Sequence, residues 1–498
     1  MDVVWVLIIP LRSFNESLRL AERYSKFDVG QLKSVAATSI GRTETDVVDI
    51  RKLAEGGYNR TFEITMKDGL QVIARLPYPM TLPKNYATAS EVATMDYVRL
   101  HGIPVPRIHD YSTTSENLVG SEYIIMEKVK GKELGESWFS MTSEERLKIT
   151  SQIVKLETLL FSIKLPASGS IYYRRDLGPQ VESVDIPGTG EGEGFCIGRT
   201  LSNDGVRSTK DVLRAVGRRE LTWTKYCARP RFPYEALYRE IYDYQKVYPT
   251  DHIKILSDYM QIAEYIGPKE GDKLGRPVLR HADLQPNNLF VSDSMDLLGV
   301  IDWQLCSVLP LFLHTGLPNH FQHFNDPGFD QLVEPRLPDN FAELDVQEQD
   351  AARELFRRRQ LHYFYIDLTA KLNRDHHDAF NLDFIMLRKL LFDGAGTPWE
   401  GDNTTLKSHL IRANEVWPLL TSAEDGSDLS CPITYDPEET ERCLDLNSQQ
   451  EEVQTLMDKA RRCLGVNIQG WLPAEGYNAA KQLSEEWKAE GIEGAEKE

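Results

Sequence analysis

The sequence predicts an α+β chain of two lobes, a small antiparallel-sheet lobe followed by a larger, mainly helical one. Three observations predict it. Residues 52–76 read as strand, turn and strand, with Lys67-Asp68-Gly69 at the turn, a strong short-range hairpin signal. Residues 88–100 (TASEVATMDYVRL) then read as a helix and 122–128 as another strand, which completes a sheet with a helix laid on it. From Gly131 onward helical patterns dominate, and 498 residues exceed what one hydrophobic core ordinarily supports.

Taken in order, residues 1–49 form an N-terminal helical extension, because SFNESLRLAERYSKF places apolar side chains near helical spacing. The apolar run at 3–11 is shorter than the about 20 residues that span a bilayer, and no other stretch is long and apolar enough. Asp2 stands where a secretory signal carries positive charge, and the segment lacks the Arg- and Ser-rich, acid-poor character of a transit peptide. Residues 50–128 make the sheet lobe. Residues 129–420 make the helical lobe, with helices expected over 232–247, 253–266, 348–372 and 382–392. Loops rich in Gly or Pro fall at 178–198 and 309–338, and two short strands, 288–292 and 297–301, lie between the helices. Residues 421–498 form an acidic helical tail, with 18 Asp/Glu against 7 Lys/Arg.

Charge and cysteines exclude some classes. A formal net charge of −19 argues against a general nucleic-acid binder, which needs clustered Lys and Arg. It leaves open a nucleotide site, which needs only local positive charge. The six cysteines are scattered with no Cys-x-x-Cys pair, so neither a zinc site nor a disulfide framework is expected. No protein partner is identifiable.

Chemistry concentrates in residues 279–303, LRHADLQPNNLFVSDSMDLLGVIDW. Phosphoryl transfer is mostly positioning and charge neutralisation. It needs a carboxylate to accept the proton of the attacking hydroxyl and oxygen ligands for magnesium. Asp283 and Asn288 stand five apart, the Asp-to-Asn interval of a kinase catalytic loop. Asp302 follows fourteen residues later, after a hairpin that folds it back beside Asn288. Asp283 is therefore the expected base, and Asn288 and Asp302 the expected Mg2+ ligands. His281 is expected to brace the loop by hydrogen bonding.

This segment resembles the aminoglycoside phosphotransferase superfamily, whose loop usually reads His-Gly-Asp-Leu-His-Pro-x-Asn and whose second motif is Ile-Asp-Trp or Ile-Asp-Phe. Here they read His281-Ala282-Asp283-Leu284-Gln285-Pro286-Asn287-Asn288 and Ile301-Asp302-Trp303. Longer blocks, among them LAEGGYNRTFEITMKDG, ATASEVATMDYVR and YEALYREIYDYQK, resemble a fungal branch of it, the altered inheritance of mitochondria proteins. The resemblance implies a two-lobed protein kinase-like fold, ATP and Mg2+ as cofactors, and phosphorylation of a small-molecule hydroxyl. It also implies a mitochondrial location, with the cytoplasm as the alternative.

In that layout the first hairpin, Glu55-Gly56-Gly57-Tyr58-Asn59-Arg60, covers the phosphates, so Gly56, Gly57 and Asn59 join the nucleotide site. Arg75 takes the place of the strand lysine, and Glu91 on the next helix is its partner. Glu127 and Lys128 mark the hinge where adenine meets backbone groups. The acceptor is expected between the catalytic loop and the helical lobe, near Trp303, Gln304 and residues 312–324. The loop at 188–194 (GTGEGEG) carries two Glu and no following Lys-Ser/Thr, so it reads as a surface loop and not as a phosphate cradle. A protein kinase is disfavoured, because Asp302-Trp303 replaces Asp-Phe-Gly and no Ala-Pro-Glu follows. The alternative to an active enzyme is a degenerate, kinase-shaped binding or scaffold protein of mitochondrial maintenance.

Overall fold

The computed structural model describes residues 5–7, 24–188, 194–198, 208–234, 238–322, 333–421, 429–465, 471–473, 478–483 and 485–486. Most of the helix expected at 13–27 lies outside them. A helix begins just beyond, where Asp28 accepts the Gln31 N–H at 2.9 Å and caps α1 (Val29–Ser39).

Five strands form the sheet lobe: β1 (Val47–Glu55), β2 (Asn59–Met66), β3 (Gln71–Pro77), β4 (Ile108–Ser112) and β5 (Tyr123–Glu127). They pair antiparallel in the order β1-β2-β3-β5-β4. The β2–β3 connection turns at Gly69, whose φ of 82° suits glycine, while Asp68 Oδ1 accepts the Leu70 N–H. Helix α2 (Tyr86–Leu100) packs through Val92, Met95 and Val98 into the same core as Ile124 and Met126 of β5. The alternate residues Tyr123 and Ile125 face the other way, onto Leu32, Ala36 and Ala37 of α1. The sheet is thus covered on both faces. One helix was expected on it, and the second explains why four consecutive residues of β5 are buried.

After the two-residue strand β6 (Lys132–Glu133), the helical lobe is built on α3 (Ser143–Ser162). A three-stranded sheet follows, β7 (Ser170–Tyr173), β8 (Ser183–Asp185) and β9 (Phe195–Gly198), with β9 in the middle. The Gly-rich loop expected at 178–198 therefore contains two strands, and 189–193 of the GTGEGEG stretch lie outside the described residues. Then come α4 (Thr209–Cys227), α5 (Pro249–Ile262), β10 (Pro277–Arg280), β11 (Leu289–Val291), β12 (Leu297–Val300) and β13 (Ser307–Pro310). The lobe closes with α6 (Val346–Leu372), α7 (Arg374–Phe380), α8 (Ile385–Gly396) and α9 (Thr405–Glu415), followed by the tail helix α10 (Pro437–Leu464). Capping boxes start α3, α4 and α6, through Thr142 with Glu145, Ser208 with Asp211 and Asp345 with Glu348.

The helix expected at 232–247 is a correction. Residues 235–237 lie outside the described ones; of the rest only Tyr238–Ile241 is helical, Asp243 and Tyr244 adopt positive φ, and Arg231 and Val247 exchange backbone hydrogen bonds. The described residues after Ile241 turn back toward Arg231, and the apolar spacing comes from aromatic side chains. No helix among the described residues is long and apolar enough to cross a membrane.

Candidate active site

Two antiparallel pairs frame the loop that carries Asp283. Strand β10 leads into it and pairs with β13, and β11 leads out and pairs with β12. The Ile301 N–H donates to Asn288 O at 2.9 Å, which closes the β11–β12 hairpin and returns Asp302 to the loop. Strand β6 adds to the outer edge of β11, and its following turn presses on the loop. A Cβ on Gly135 would lie 1.9 Å from Asn287 Oδ1, so a larger residue there would displace the Asn287 side chain.

His281 is buried and holds the loop from below. Its Nε2 meets Ile301 O at 3.0 Å, its Nδ1 accepts the Asp283 N–H at 3.1 Å, and its ring stands edge-on to Trp303. Burial lowers its pKa, which suits the neutral tautomer those bonds require. Cys306 Sγ accepts the Ala282 N–H, and burial pushes its thiol up, so it serves as a neutral brace.

Asp283 is exposed at the lip of this support. Its Oδ2 accepts from Gln285 Nε2 at 2.6 Å and from Asn288 Nδ2 at 3.2 Å, and Asn288 Nδ2 also donates to Asp283 O at 2.8 Å. The amide of Asn288 is thereby oriented, and its oxygen has no hydrogen bond among the described residues. Asp302 has a φ of 65°, a left-handed conformation that costs a non-glycine residue about 1–3 kcal/mol and clusters at functional sites.

Across from the loop, Arg75 on β3 makes an ion pair with Glu91 of α2 and holds Asp302 Oδ1 at 2.6 Å. Gln304 Oε1 accepts from the same Nη2 at 3.1 Å. The Asn59 Nδ2 donates to Gln304 Oε1 at 2.7 Å in one orientation of its amide, and in the turned orientation its oxygen instead accepts from Arg75 Nε at 3.0 Å. Burial pushes the Glu91 carboxyl up to about 7; Arg75 opposes that and Asp302 adds to it. Burial alone would lower the Arg75 pKa, yet Glu91 and Asp302 together raise it, so the guanidinium stays charged.

Gly56 and Gly57 lie in the β1–β2 turn, closed by Gly56 N–H to Asn59 O at 3.0 Å. Neither has positive φ, and a Cβ would meet nothing within 4 Å at Gly57 and only Asn59 O, at 3.9 Å, at Gly56. The fold itself does not demand glycine at either position. At the lobe junction the Glu127 N–H donates to Arg107 O, and the Lys128 ammonium is held by Glu63 and Gln71.

The structure thus brings Asn59, Arg75, Glu91 and Asp302 together, and separately Asp283 with Asn288. Three residues expected at the acceptor site are placed otherwise. Trp303 is 0% exposed with its Nε1 on Val300 O, Phe312 lies in the core, and Gln304 is engaged by Arg75 and Asn59. Their apolar bulk or amide chemistry fills the fold. Residues 323 and 324 lie outside the described residues. One feature without a sequence signal is the support behind the loop: Arg280 bonds Glu157, His314 O, Gly316 O and the Tyr365 hydroxyl.

Which metal suits the site follows from its donors. Asn288 and Asp302 offer only oxygen, the preference of magnesium. No group of three or more His, Cys, Asp or Glu that would hold a metal occurs among the described residues.

A model of the family described as phosphotransferase enzyme family matches residues 49–181, the sheet lobe and the start of the helical lobe. A subtelomeric hrmA-associated cluster protein of Aspergillus fumigatus is 30% identical over 495 residues, covering 90% of this chain and 94% of its own length. Altered inheritance of mitochondria protein 9, mitochondrial, of Saccharomyces cerevisiae is 22% identical, covering 90% of this chain and 77% of its own. Among solved structures, the streptomycin–ATP ternary complex of APH(2'')-IIa covers 78% of this chain and 96% of its own, at 14% identity and a TM-score of 0.37. A Plasmodium vivax ethanolamine kinase covers 76% and 85%, at 14% identity and a TM-score of 0.32.

Proposed function

The chain belongs to the phosphotransferase enzyme family, and from that premise we propose that it transfers the γ-phosphoryl group of ATP to a hydroxyl of a small molecule. The observation that carries the reading is Asp283, an exposed carboxylate pinned by Asn288 on a loop that a hairpin closes onto Asp302.

In this reading Asp283 takes the proton of the acceptor hydroxyl as its oxygen bonds to the γ-phosphorus and the bond to the β,γ-bridging oxygen breaks. Gln285 and Asn288 hold the Asp283 carboxylate in one orientation for that transfer. Asn288 Oδ1 and the Asp302 carboxylate would hold Mg2+, which neutralises charge on the phosphates when bound. Arg75, fixed by Glu91, would supply positive charge beside the phosphates, and Gly56 and Gly57 would let the turn backbone approach the same groups. Adenine would lie against the backbone beyond Glu127, whose own N–H is already bonded to Arg107 O.

The test is ATP consumption against a panel of small alcohols for wild type and Asp283→Asn, with thermal stabilisation by Mg·ADP on both. Turnover that survives the substitution would overturn the assignment of the base.

A second reading, a kinase-shaped protein that binds nucleotide without turnover, is favoured by one observation: Arg75 grips the carboxylate that magnesium needs. Stabilisation by Mg·ATP with no consumption across the panel selects it. The mitochondrial name of the yeast relative supports a mitochondrial address, which imaging of a C-terminal fluorescent fusion tests.

A further inference from the structure

A cavity of about 440 Å³ lies outside the catalytic set, inside the roughly 300–1,000 Å³ of small-molecule pockets. Both lobes line it. Tyr86, Ala87 and Ser90 come from α2, where Ser90 directly precedes Glu91, and Leu305, Ser307 and Leu309 follow Asp302 along the chain. Tyr172 of β7 and Phe392 of α8 complete walls that are mostly apolar. None of Asp283, Asn288 and Asp302 lines it, so it is a separate space from the proposed transfer site.

Two opposite charges line this apolar space without joining. Arg219 of α4 gives one hydrogen bond, from Nη2 to Gly396 O at 2.7 Å, and has no ion pair among the described residues. Asp393 of α8 has neither a hydrogen bond to its carboxylate nor an ion pair among them. Among the described residues the cation acting on it is Lys389, whose ammonium is given to Thr315 O. Burial raises the Asp393 pKa and lowers that of Arg219, while part of each side chain stays exposed to water. A carboxylate and a guanidinium on otherwise apolar walls are complemented by a ligand with both a donor cation and an acceptor anion.

We infer that this cavity binds an amphoteric molecule of amino-acid type with an aromatic body, its ammonium on Asp393, its carboxylate on Arg219 and its ring against the wall that Tyr86, Tyr172 and Phe392 form. A neutral apolar ligand would make no ionic contact with either charge. A polycation would meet one carboxylate and a guanidinium that repels it.

The experiment uses the full chain and three probes, L-tryptophan, tryptamine and indole-3-acetate, with binding followed by calorimetry and saturation-transfer NMR. L-Tryptophan is expected to bind, and each single-ended probe to bind about tenfold more weakly. Asp393→Asn and Arg219→Gln are each expected to weaken L-tryptophan about tenfold as well. Both positions are exposed, so the fold is retained, and an unfolding curve checks it. Ser90→Phe, which fills the cavity, is expected to remove binding of all three. No binding of L-tryptophan, an affinity that neither charge variant changes, or dependence on one charge alone each overturns the proposal. Mg·ADP stabilisation on the same samples reports the nucleotide site independently, so failure of either reading is distinguishable from failure of the other.

Discussion

The Arg75 guanidinium holds Asp302 Oδ1 at 2.6 Å while its other arm is in an ion pair with Glu91. One buried cation therefore ties α2 to the segment that would grip magnesium. Glu91 is 3% exposed, so removing Arg75 leaves a buried carboxylate without its counter-charge, a change that costs about 3–5 kcal/mol. Arg75→Met is expected to show that loss in urea unfolding and to lose stabilisation by Mg·ADP. Arg75→Lys keeps one charge without the planar fork, so it retains the Glu91 pair and releases Asp302. Its Mg·ADP complex should form at lower Mg2+ concentration than that of wild type. An unchanged Mg2+ requirement would show that the Asp302 contact does not compete with the metal.

Asp283 is exposed and its backbone is held independently by His281. Asp283→Asn should therefore leave the unfolding midpoint and Mg·ADP stabilisation as they are. Loss of a general base slows proton transfer by about 10²–10⁴-fold, and steady-state turnover on any accepted alcohol should fall in that range. Equal turnover in the two proteins would assign the base elsewhere.

These two sites were unequally legible in the sequence. The loop from His281 to Asn288 and the return to Asp302 read directly, because local spacing along one hairpin sets their geometry. The partnership of Arg75 with Glu91 is implied by the kinase-like layout that the sequence resembles, and the ion pair is present. The contact of Arg75 with Asp302 joins residues 227 apart, and nothing local encodes it. Trp303 was expected near the acceptor and lies in the core, since a large aromatic reads the same whether it lines a pocket or fills one. Helices α3 and α4 carried readable starts in Thr142-x-x-Glu145 and Ser208-x-x-Asp211, whereas the aromatic spacing at 232–247 imitated a helix that Pro233 and the turn at Asp243 and Tyr244 break.

Support behind the catalytic loop gives a third prediction. Arg280, three residues before Asp283, is paired with Glu157, and the Tyr365 hydroxyl donates to that same carboxylate. All three are shielded from water, so Glu157→Gln strips the counter-charge from a buried guanidinium and should cost about 3–5 kcal/mol. Tyr365→Phe removes one hydrogen bond to a charged group, worth about 1.5–3 kcal/mol. In conditions where both variants are folded, kcat should fall more than KM rises, because the loop that carries the proposed base is loosened while Arg75, proposed for the nucleotide side, keeps its pair with Glu91. A stability loss with unchanged kcat would confine this network to the fold.

Acid stability should depend on Glu354 of α6. Its carboxylate accepts from Arg357 Nε and Nη2 at 2.7 and 2.8 Å and from Arg358 Nε at 2.7 Å. The bonds from Arg357 chiefly, with those from Arg358, bring its pKa down to about 2 from an ordinary 4.5. A carboxyl with a lowered folded-state pKa stabilises fully above the unfolded value and loses that stabilisation as pH falls through the folded one. The Glu354 contribution is therefore complete above pH 4.5 and disappears toward pH 2. The side chain is 36% exposed, so water weakens the effect and salt should weaken it further. Arg357 is itself buried, with its guanidinium over the rings of Trp138 and Phe139. Glu354→Gln should consequently be less stable than wild type at neutral pH, and the two urea midpoints should converge as pH is lowered from 4.5 toward 2. A midpoint difference that stays constant over that interval would show that Glu354 acts through packing and not through its charge.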